Sequence, residues 1–128
     1  MAMGDRPVSW LTEDGILCHD LTGYRHLSMD LIRYLSRQHV LLTDGRPARV
    51  MVLADDLLTV DFEVQLFASR AWVSKLIASL AVVCHSFVIQ HLTSMFISYH
   101  APSYPVRVFT CRQEAEDWSR SVTEPDKR

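Results

Sequence analysis

Two adjacent aspartates, Asp55 and Asp56, are the side chains best placed for chemistry. They follow an apolar run over residues 50–54. That run predicts a central strand, and ligands of open α/β sheets gather at the carboxyl ends of the strands. Adjacent residues on an extended chain point to opposite faces, so both carboxylates can bind one metal only if the chain bends. An enzyme that uses Asp55 or Asp56 with a distant histidine is one hypothesis.

Other recurring chemical motifs are missing. No glycine lies in a strand-to-helix turn of the kind that cradles phosphate, and no G-x-S-x-G sequence occurs. The histidines show no H-x-x-x-H or H-E-x-x-H spacing, and no cysteine stands at ligand spacing from them. We therefore predict no catalytic residue, no metal and no cofactor, although a site assembled from distant segments stays open. The six histidines are His19, His26, His39, His85, His91 and His100, and we predict that His91 is a core residue.

Bulk composition predicts one globular domain over residues 1–128, with an ordered core of about residues 8–122. The chain is 48% hydrophobic and has a net charge of −2. It has no basic stripe, so we expect no nucleic-acid partner. Three cysteines without C-x-x-C spacing indicate reduced thiols, and the first residues include no apolar signal segment. We expect a cytoplasmic protein.

Residues 76–106 contain no Lys, Arg, Asp or Glu. A membrane-spanning helix needs about 20 mostly apolar residues, but polar side chains such as His85, Gln90 and His91 interrupt this run. The spacing instead predicts a buried strand followed by an amphipathic helix. We therefore expect no membrane span.

Apolar periodicity and turn signals divide the chain into eight segments. The pair Asp14-Gly15 between two apolar runs is a strong hairpin signal. The predicted elements are a β-hairpin over 8–21, a helix capped by Ser28 that continues to Leu42, a strand over 50–54, a helix capped by Asp61 that continues to Ile77, a strand over 80–84, a helix over 87–99, a strand over 106–109, and a last helix that begins with a capping box of Thr110 and Gln113. This β-β-α-β-α-β-α-β-α order predicts a single mixed sheet of about five strands with about four helices, an α/β fold.

The helix over 87–99 is apolar on more than one side. We expect Val88, Leu92, Met95 and Tyr99 to form its inner stripe, with further apolar residues on its other side. A helix that is apolar on two faces is usually buried on two faces, and the second cover can be another subunit, a ligand or the core itself. The candidate interface or ligand-lining residues are Ile89, Met95, Phe96, Ile97 and Tyr99.

Four blocks together resemble a known family: residues 79–84, Met95-Phe96, residues 101–109 and residues 114–118. The chain resembles the uncharacterised bacterial SpoIIAA-like proteins of the STAS superfamily, whose fold is also that of anti-sigma-factor antagonists and some lipid-transfer domains. In element order the resemblance covers about residues 10–122. It implies an α/β sandwich, dimerisation, and a role in binding and regulation without catalysis.

The resemblance also points to a segment that carries a phosphorylatable serine in better-known relatives. Here residues 56–63 contain neither serine nor glycine, and Thr59 is the nearby hydroxyl. Thr59 is thus a candidate regulatory residue, with helix entry as its structural alternative. Arg70, on the predicted second helix, is a candidate anion or interface contact, with a surface arginine as the alternative.

Three hypotheses of function follow. The first is a non-enzymatic regulatory or protein-interaction module that acts as a homodimer. The second is a binder of a small apolar or lipid-like ligand, held in a cavity between the helices and the sheet. The third is the enzyme built on Asp55 or Asp56.

Overall fold

The computed structural model describes residues 7–122, which form a five-stranded sheet with helices on both faces. Two very short strands pair outside this sheet. The elements are β1 (Val8–Leu11), β2 (Ile16–Asp20), β3 (His26–Leu27), α1 (Met29–Thr43), β4 (Ala48–Leu53), β5 (Thr59–Val60), α2 (Phe62–Ala68), α3 (Ala71–Ser74), β6 (Ile77–Val83), α4 (Phe87–His100), β7 (Val106–Phe109) and α5 (Arg112–Ser121).

The main sheet has the strand order β1-β2-β4-β6-β7. β1 is antiparallel to β2, and every other neighbouring pair is parallel. The first two strands form the predicted hairpin, whose turn contains Gly15 at φ +84, a backbone conformation that suits glycine. The predicted mixed α/β sheet and its element order are confirmed, with β3, β5 and α3 as additions.

Alternate residues of each parallel strand face two different cores, as the period of two requires. On one face, α5 packs against a buried cluster that includes Cys18, Met51 and Ala81. On the other face, α1 lies over β1 and β2, α4 lies over β7, and α2 contacts both helices. Side chains such as Leu17 and Val50 belong to this second core.

Helix α1 begins where the sequence predicts. Ser28 is its N-cap, and the side chain accepts a hydrogen bond from the backbone N–H of Leu31 at 3.1 Å. The helix ends at Thr43, and its C-cap Asp44 adopts the left-handed conformation at φ 59. Side-chain capping of one orphan N–H stabilises a helix by about 1 kcal/mol.

The single helix predicted from Asp61 to Ile77 is wrong. Two shorter helices, α2 and α3, occupy this region, and the chain is extended at Arg70, where ψ is 147. Asp61 makes no capping bond to α2, and Ile77 begins β6. The parallel pairing of β6 with β4 draws Ile77 into the sheet, so tertiary pairing overrides the local helical period.

The predicted inner stripe of α4 is wrong for Val88 and Tyr99, whereas Leu92 is half-buried and packs against the core. Val88 and Tyr99 are 53% and 77% exposed, whereas Ile89 and Phe96 are buried. Since successive helical residues are 100° apart, Ile89 and Phe96 share the face toward the sheet, while Val88 and Tyr99 lie on its flank. The predicted core residue His91 is exposed for the same reason.

Helix α5 begins without the predicted capping box. Its N-cap is Cys111, and no side-chain capping bond is formed there. Ala115 is nonetheless buried, and Trp118 packs on Phe109 with ring centroids 5.7 Å apart.

None of the helices within residues 7–122 combines the length and the apolar character that a membrane span requires.

Candidate functional site

A cavity of about 190 Å³ lies between the sheet and helices α1, α2 and α4. The sheet contributes side chains from β2, β4, β6 and β7, so the cavity runs across four strands. The apolar lining consists of Leu21, Leu27, Ile32, Leu35, Val50, Val52, Ala54, Leu57, Val60, Val64, Phe67, Ala68, Val73, Leu76, Ile77, Leu80, Val82, Ile89, Leu92, Phe96 and Val106. A cavity lined in this way suits an apolar ligand body.

A few polar side chains also line the cavity, and they are unevenly placed. His19 on β2 belongs to this polar group, and α1 contributes Ser36 and His39. These three residues share the side of the cavity where α1 packs over β2.

At the opposite side, the hydroxyl of Tyr104 donates its proton to the backbone carbonyl of Ala68. Tyr104 therefore has no free proton to donate to a ligand. Thr93 on α4 also lines the cavity, and its hydroxyl donates to the backbone carbonyl of Ile89. Gln65 on α2 is a further polar residue of the lining. The two histidines of the lining therefore lie together at the end where α1 packs over β2.

His19 is 4% exposed. Its Nδ1 lies 2.7 Å from Oγ of Ser9 on the neighbouring strand. Burial first, and then the nearby His39, lower the pKa of His19 to about 4. The ring is therefore neutral at physiological pH, with one nitrogen oriented by Ser9.

His39 is buried to the same degree. Its Nε2 lies 3.2 Å from the backbone carbonyl of Arg46, so Nε2 must carry the proton that it donates. Burial lowers the pKa of His39, and the bond to Arg46 offsets part of that effect. In the neutral ring, Nδ1 is then a hydrogen-bond acceptor.

The five candidate residues of α4 fall into separate groups. Ile89 and Phe96 line the cavity. Met95 is half-buried and lies on the flank that carries Tyr99, which is exposed. Ile97 is exposed on the opposite flank. Two of the five residues are therefore placed for ligand contact.

The aspartates that follow β4 diverge. Oδ1 of Asp55 lies 2.9 Å from Nδ1 of His85, which follows β6, and both side chains are more than half exposed. Oδ2 of Asp56 accepts from the backbone N–H of Gly23 at 2.7 Å. Neither aspartate lines the cavity. At the carboxyl edge of the sheet, Asp55 and His85 thus form an exposed imidazole–carboxylate pair. Asp56 instead binds the backbone of the loop at Gly23.

Thr59 lies on β5, where its Oγ1 is 2.7 Å from Nδ1 of His26 on β3. Nε2 of the same ring lies 2.8 Å from Oδ1 of Asp61, whose other oxygen accepts from the backbone N–H of Met29. The His26 and Met29 bonds lower the pKa of Asp61. This is a hydroxyl–imidazole–carboxylate chain at the surface, outside the cavity, and it ties the two short strands to the start of α1.

Arg70, the second candidate contact, is the exposed N-cap of α3 and does not line the cavity. Within the described part of the chain, no group of three His, Cys, Asp or Glu residues could hold a metal ion.

Comparison with known sequences decides the family. A family model described as "Domain of unknown function (DUF7793)" matches residues 9–123. The chain belongs to the DUF7793 family. Comparison of this DUF7793 protein with curated proteins gives no match.

The fold of the DUF7793 protein is similar to a crystal structure of an uncharacterized protein from the DUF3478 family. That protein has a SpoIIAA-like fold and comes from Shewanella loihica PV-4. The TM-score is 0.61 and the identity 11%, over 88% of this chain and 90% of that chain. The predicted SpoIIAA-like fold is confirmed.

Sequence reasoning missed the polar end of the cavity. A signal was nonetheless present. Period-two alternation places His19 on the face of Leu17 and Leu21, and helical spacing places His39 four residues after Leu35. These patterns indicate two buried histidines, but only the sheet topology brings them to one cavity.

Proposed function

We propose that this DUF7793 protein is a non-enzymatic binding module whose cavity holds a small apolar ligand. The observation that carries the proposal is the cavity of about 190 Å³ between the sheet and helices α1, α2 and α4, lined largely by aliphatic and aromatic side chains. A cavity of this size in a domain of 128 residues therefore supports a binding role.

The positions of the reactive groups support a role without catalysis. The Asp55–His85 pair and the Thr59–His26–Asp61 chain are both at the surface, away from the cavity. Catalysis by such groups requires a bound substrate within hydrogen-bond reach and exclusion of water. The reactive groups and the apolar cavity thus occupy different places.

Three free thiols support a cytoplasmic site of action. Cys18 and Cys84 are buried, and Cys111 is exposed. Free thiols persist in reducing compartments, where disulfides are rare.

Thermal unfolding with a series of primary alcohols, from butanol to dodecanol at equal low concentration, tests the binding proposal. A ligand that binds only the folded state raises Tm. We expect the rise to peak at the chain length that fills the cavity. The Val82→Phe variant, which adds bulk to the lining, should lose the rise, while Val40→Phe at an exposed position of α1 should keep it. A Tm that no alcohol raises would contradict the proposal.

A second candidate function is a protein-interaction module that forms a homodimer. The observation that favours it is the apolar flank of α4, where Val88 and Tyr99 are largely exposed and Met95 is half-buried. Such a stripe suits a contact between subunits. Light scattering at tens of micromolar tests it: a dimer has twice the 14.7 kDa of the chain, and Val88→Ser with Tyr99→Ser should reduce this mass. A wild-type mass near that of one chain would overturn it.

A further inference from the structure

The cavity has chemically different ends. His19, Ser36 and His39 lie where α1 covers β2, and the lining contributed by β6 and β7 is Ile77, Leu80, Val82 and Val106. A ligand that matches both ends has one hydrogen-bonding group and an apolar remainder.

Each of the two histidines has a ring nitrogen available for a ligand. Within residues 7–122, the hydrogen bond of His19 uses Nδ1 and that of His39 uses Nε2. Nε2 of His19 and Nδ1 of His39 make no further protein hydrogen bond there. Both residues are almost fully buried, and polar groups of buried residues are nearly always partnered, so two unpartnered nitrogens in the lining of one cavity point to a ligand group.

The charge of the lining defines the class of that group. No Lys, Arg, Asp or Glu lines the cavity among the described residues. Burial of a carboxylate without a cation is costly, whereas a hydroxyl needs only hydrogen-bond partners. Nδ1 of His39 can accept the proton of a hydroxyl, and Nε2 of His19 can donate to its oxygen when Ser9 donates to Nδ1.

The size of the cavity limits the apolar part. An apolar cavity of about 150 Å³ binds benzene, so about 190 Å³ takes roughly eight non-hydrogen atoms. The lining extends over three strand spacings, about 14 Å in all. A small volume spread over this distance favours an unbranched chain over fused rings.

We propose that the cavity selects a neutral, hydroxyl-bearing amphiphile with an unbranched chain of about seven carbons, and that the hydroxyl binds between His19 and His39. This inference rests on the proposed function, because it names the ligand class of the same cavity. His19 and His39 are the residues that determine specificity for the head group.

Two isomers separate this inference from the proposed function. 1-Heptanol and 1-methoxyhexane have the same formula, but only the alcohol donates a hydrogen bond. Calorimetric titration of the wild-type protein at neutral pH should give about tenfold tighter binding of the alcohol, since one or two net hydrogen bonds are gained. Equal affinity for both isomers would overturn the head-group assignment and leave the proposed function standing. If neither isomer binds, the proposed function itself fails.

Variants of the two histidines test whether these residues cause the preference for the alcohol over the ether. His19→Phe and His39→Phe keep a ring of similar shape but remove its nitrogens, so each should bring the two affinities to within about threefold. His91→Phe, at an exposed position of α4, is the matched control and should keep the wild-type preference. If the histidine variants fail to fold, the isomer comparison on wild-type protein still decides. Tighter binding of heptanoate than of 1-heptanol would overturn the neutral head group.

Discussion

Nδ1 of His19 lies 2.7 Å from Oγ of Ser9, its register partner across the antiparallel β1–β2 pair. The contact joins a half-buried hydroxyl on the edge strand to a ring that is 4% exposed. It orients the ring of a residue that lines the cavity and leaves Nε2 without a protein partner among the described residues. A residue of the opening hairpin thus helps to arrange the proposed head-group site.

The burial of His19 predicts a specific dependence of stability on pH. The pKa is about 4 in the folded protein and 6.5 ordinarily, so protonation favours the unfolded chain. The stabilisation from this group is complete above pH 6.5 and is lost as the pH falls toward 4. We expect wild-type protein to lose about 3 kcal/mol more than His19→Phe between pH 7 and 4.

Urea unfolding of both proteins across this pH range measures the difference. Surface carboxylates contribute equally to the two curves and cancel in the comparison. His39, whose pKa is also lowered, acts in the same direction and remains in both proteins. Parallel curves for the two proteins would contradict the burial of a neutral His19.

Two isoleucines on α4 should differ in their contributions to stability. Ile89 is 3% exposed and lines the cavity, whereas Ile97 is 40% exposed. Ile89→Ala should lower the free energy of unfolding by about 2–4 kcal/mol, because buried methyl groups are lost and the cavity grows. Ile97→Ala, the same change on the same helix, should cost less than about 1 kcal/mol. Equal costs in chemical denaturation would contradict the assigned buried face of α4.

Two serines should respond to alanine with opposite signs. Ser79 on β6 is fully buried, and among the described residues its Oγ has no hydrogen-bond partner. Because an unsatisfied buried hydroxyl is destabilising, Ser79→Ala should raise the free energy of unfolding by up to about 1 kcal/mol. Ser28→Ala removes the cap of α1 and should lower it by about 1 kcal/mol. Destabilisation by Ser79→Ala would show that its hydroxyl is satisfied.

The end of α4 offers a stabilising change. Ala101 adopts the left-handed conformation, with φ 43 and ψ 60. A non-glycine residue in this conformation destabilises the folded protein by about 1–2 kcal/mol. Glycine avoids that cost, but it also increases the conformational entropy of the unfolded chain, which cancels part of the gain. Ala101→Gly should therefore raise the free energy of unfolding by about 0.5–1 kcal/mol. Asp44→Gly at the end of α1 should gain less, since aspartate tolerates this conformation better. A loss of stability in thermal unfolding of the Ala101 variant would contradict this geometry.

Local signals predicted the elements that local chemistry determines. The turn at Gly15 and the cap at Ser28 depend on neighbouring residues, and both are confirmed. The two-residue pair of β3 and β5 joins His26 to Thr59 across 33 positions, so no local pattern could predict it. Ile77 fits a helical period but pairs with Ala48 in the sheet, because strand pairing outweighs a weak local preference.

The candidate site was only partly predictable for the same reason. The apolar character of Ile89 and Phe96 makes them candidate lining residues, and both line the cavity. His19 and His39 stand 20 positions apart in the chain and on different elements. The local pattern around each residue predicts one buried histidine and does not indicate a shared site. Their meeting depends on how α1 returns over β2, which follows from the assembled sheet.

The measurement that tests the central claim most directly is an NMR titration of amide resonances with 1-heptanol. We predict saturable shifts at residues that line the cavity, such as Val52, Val82 and Ile89, and their loss in Val82→Phe but not in Val40→Phe. Shifts that do not saturate, or that appear on the outer flank of α4 around Tyr99 and not in the cavity, would contradict the account.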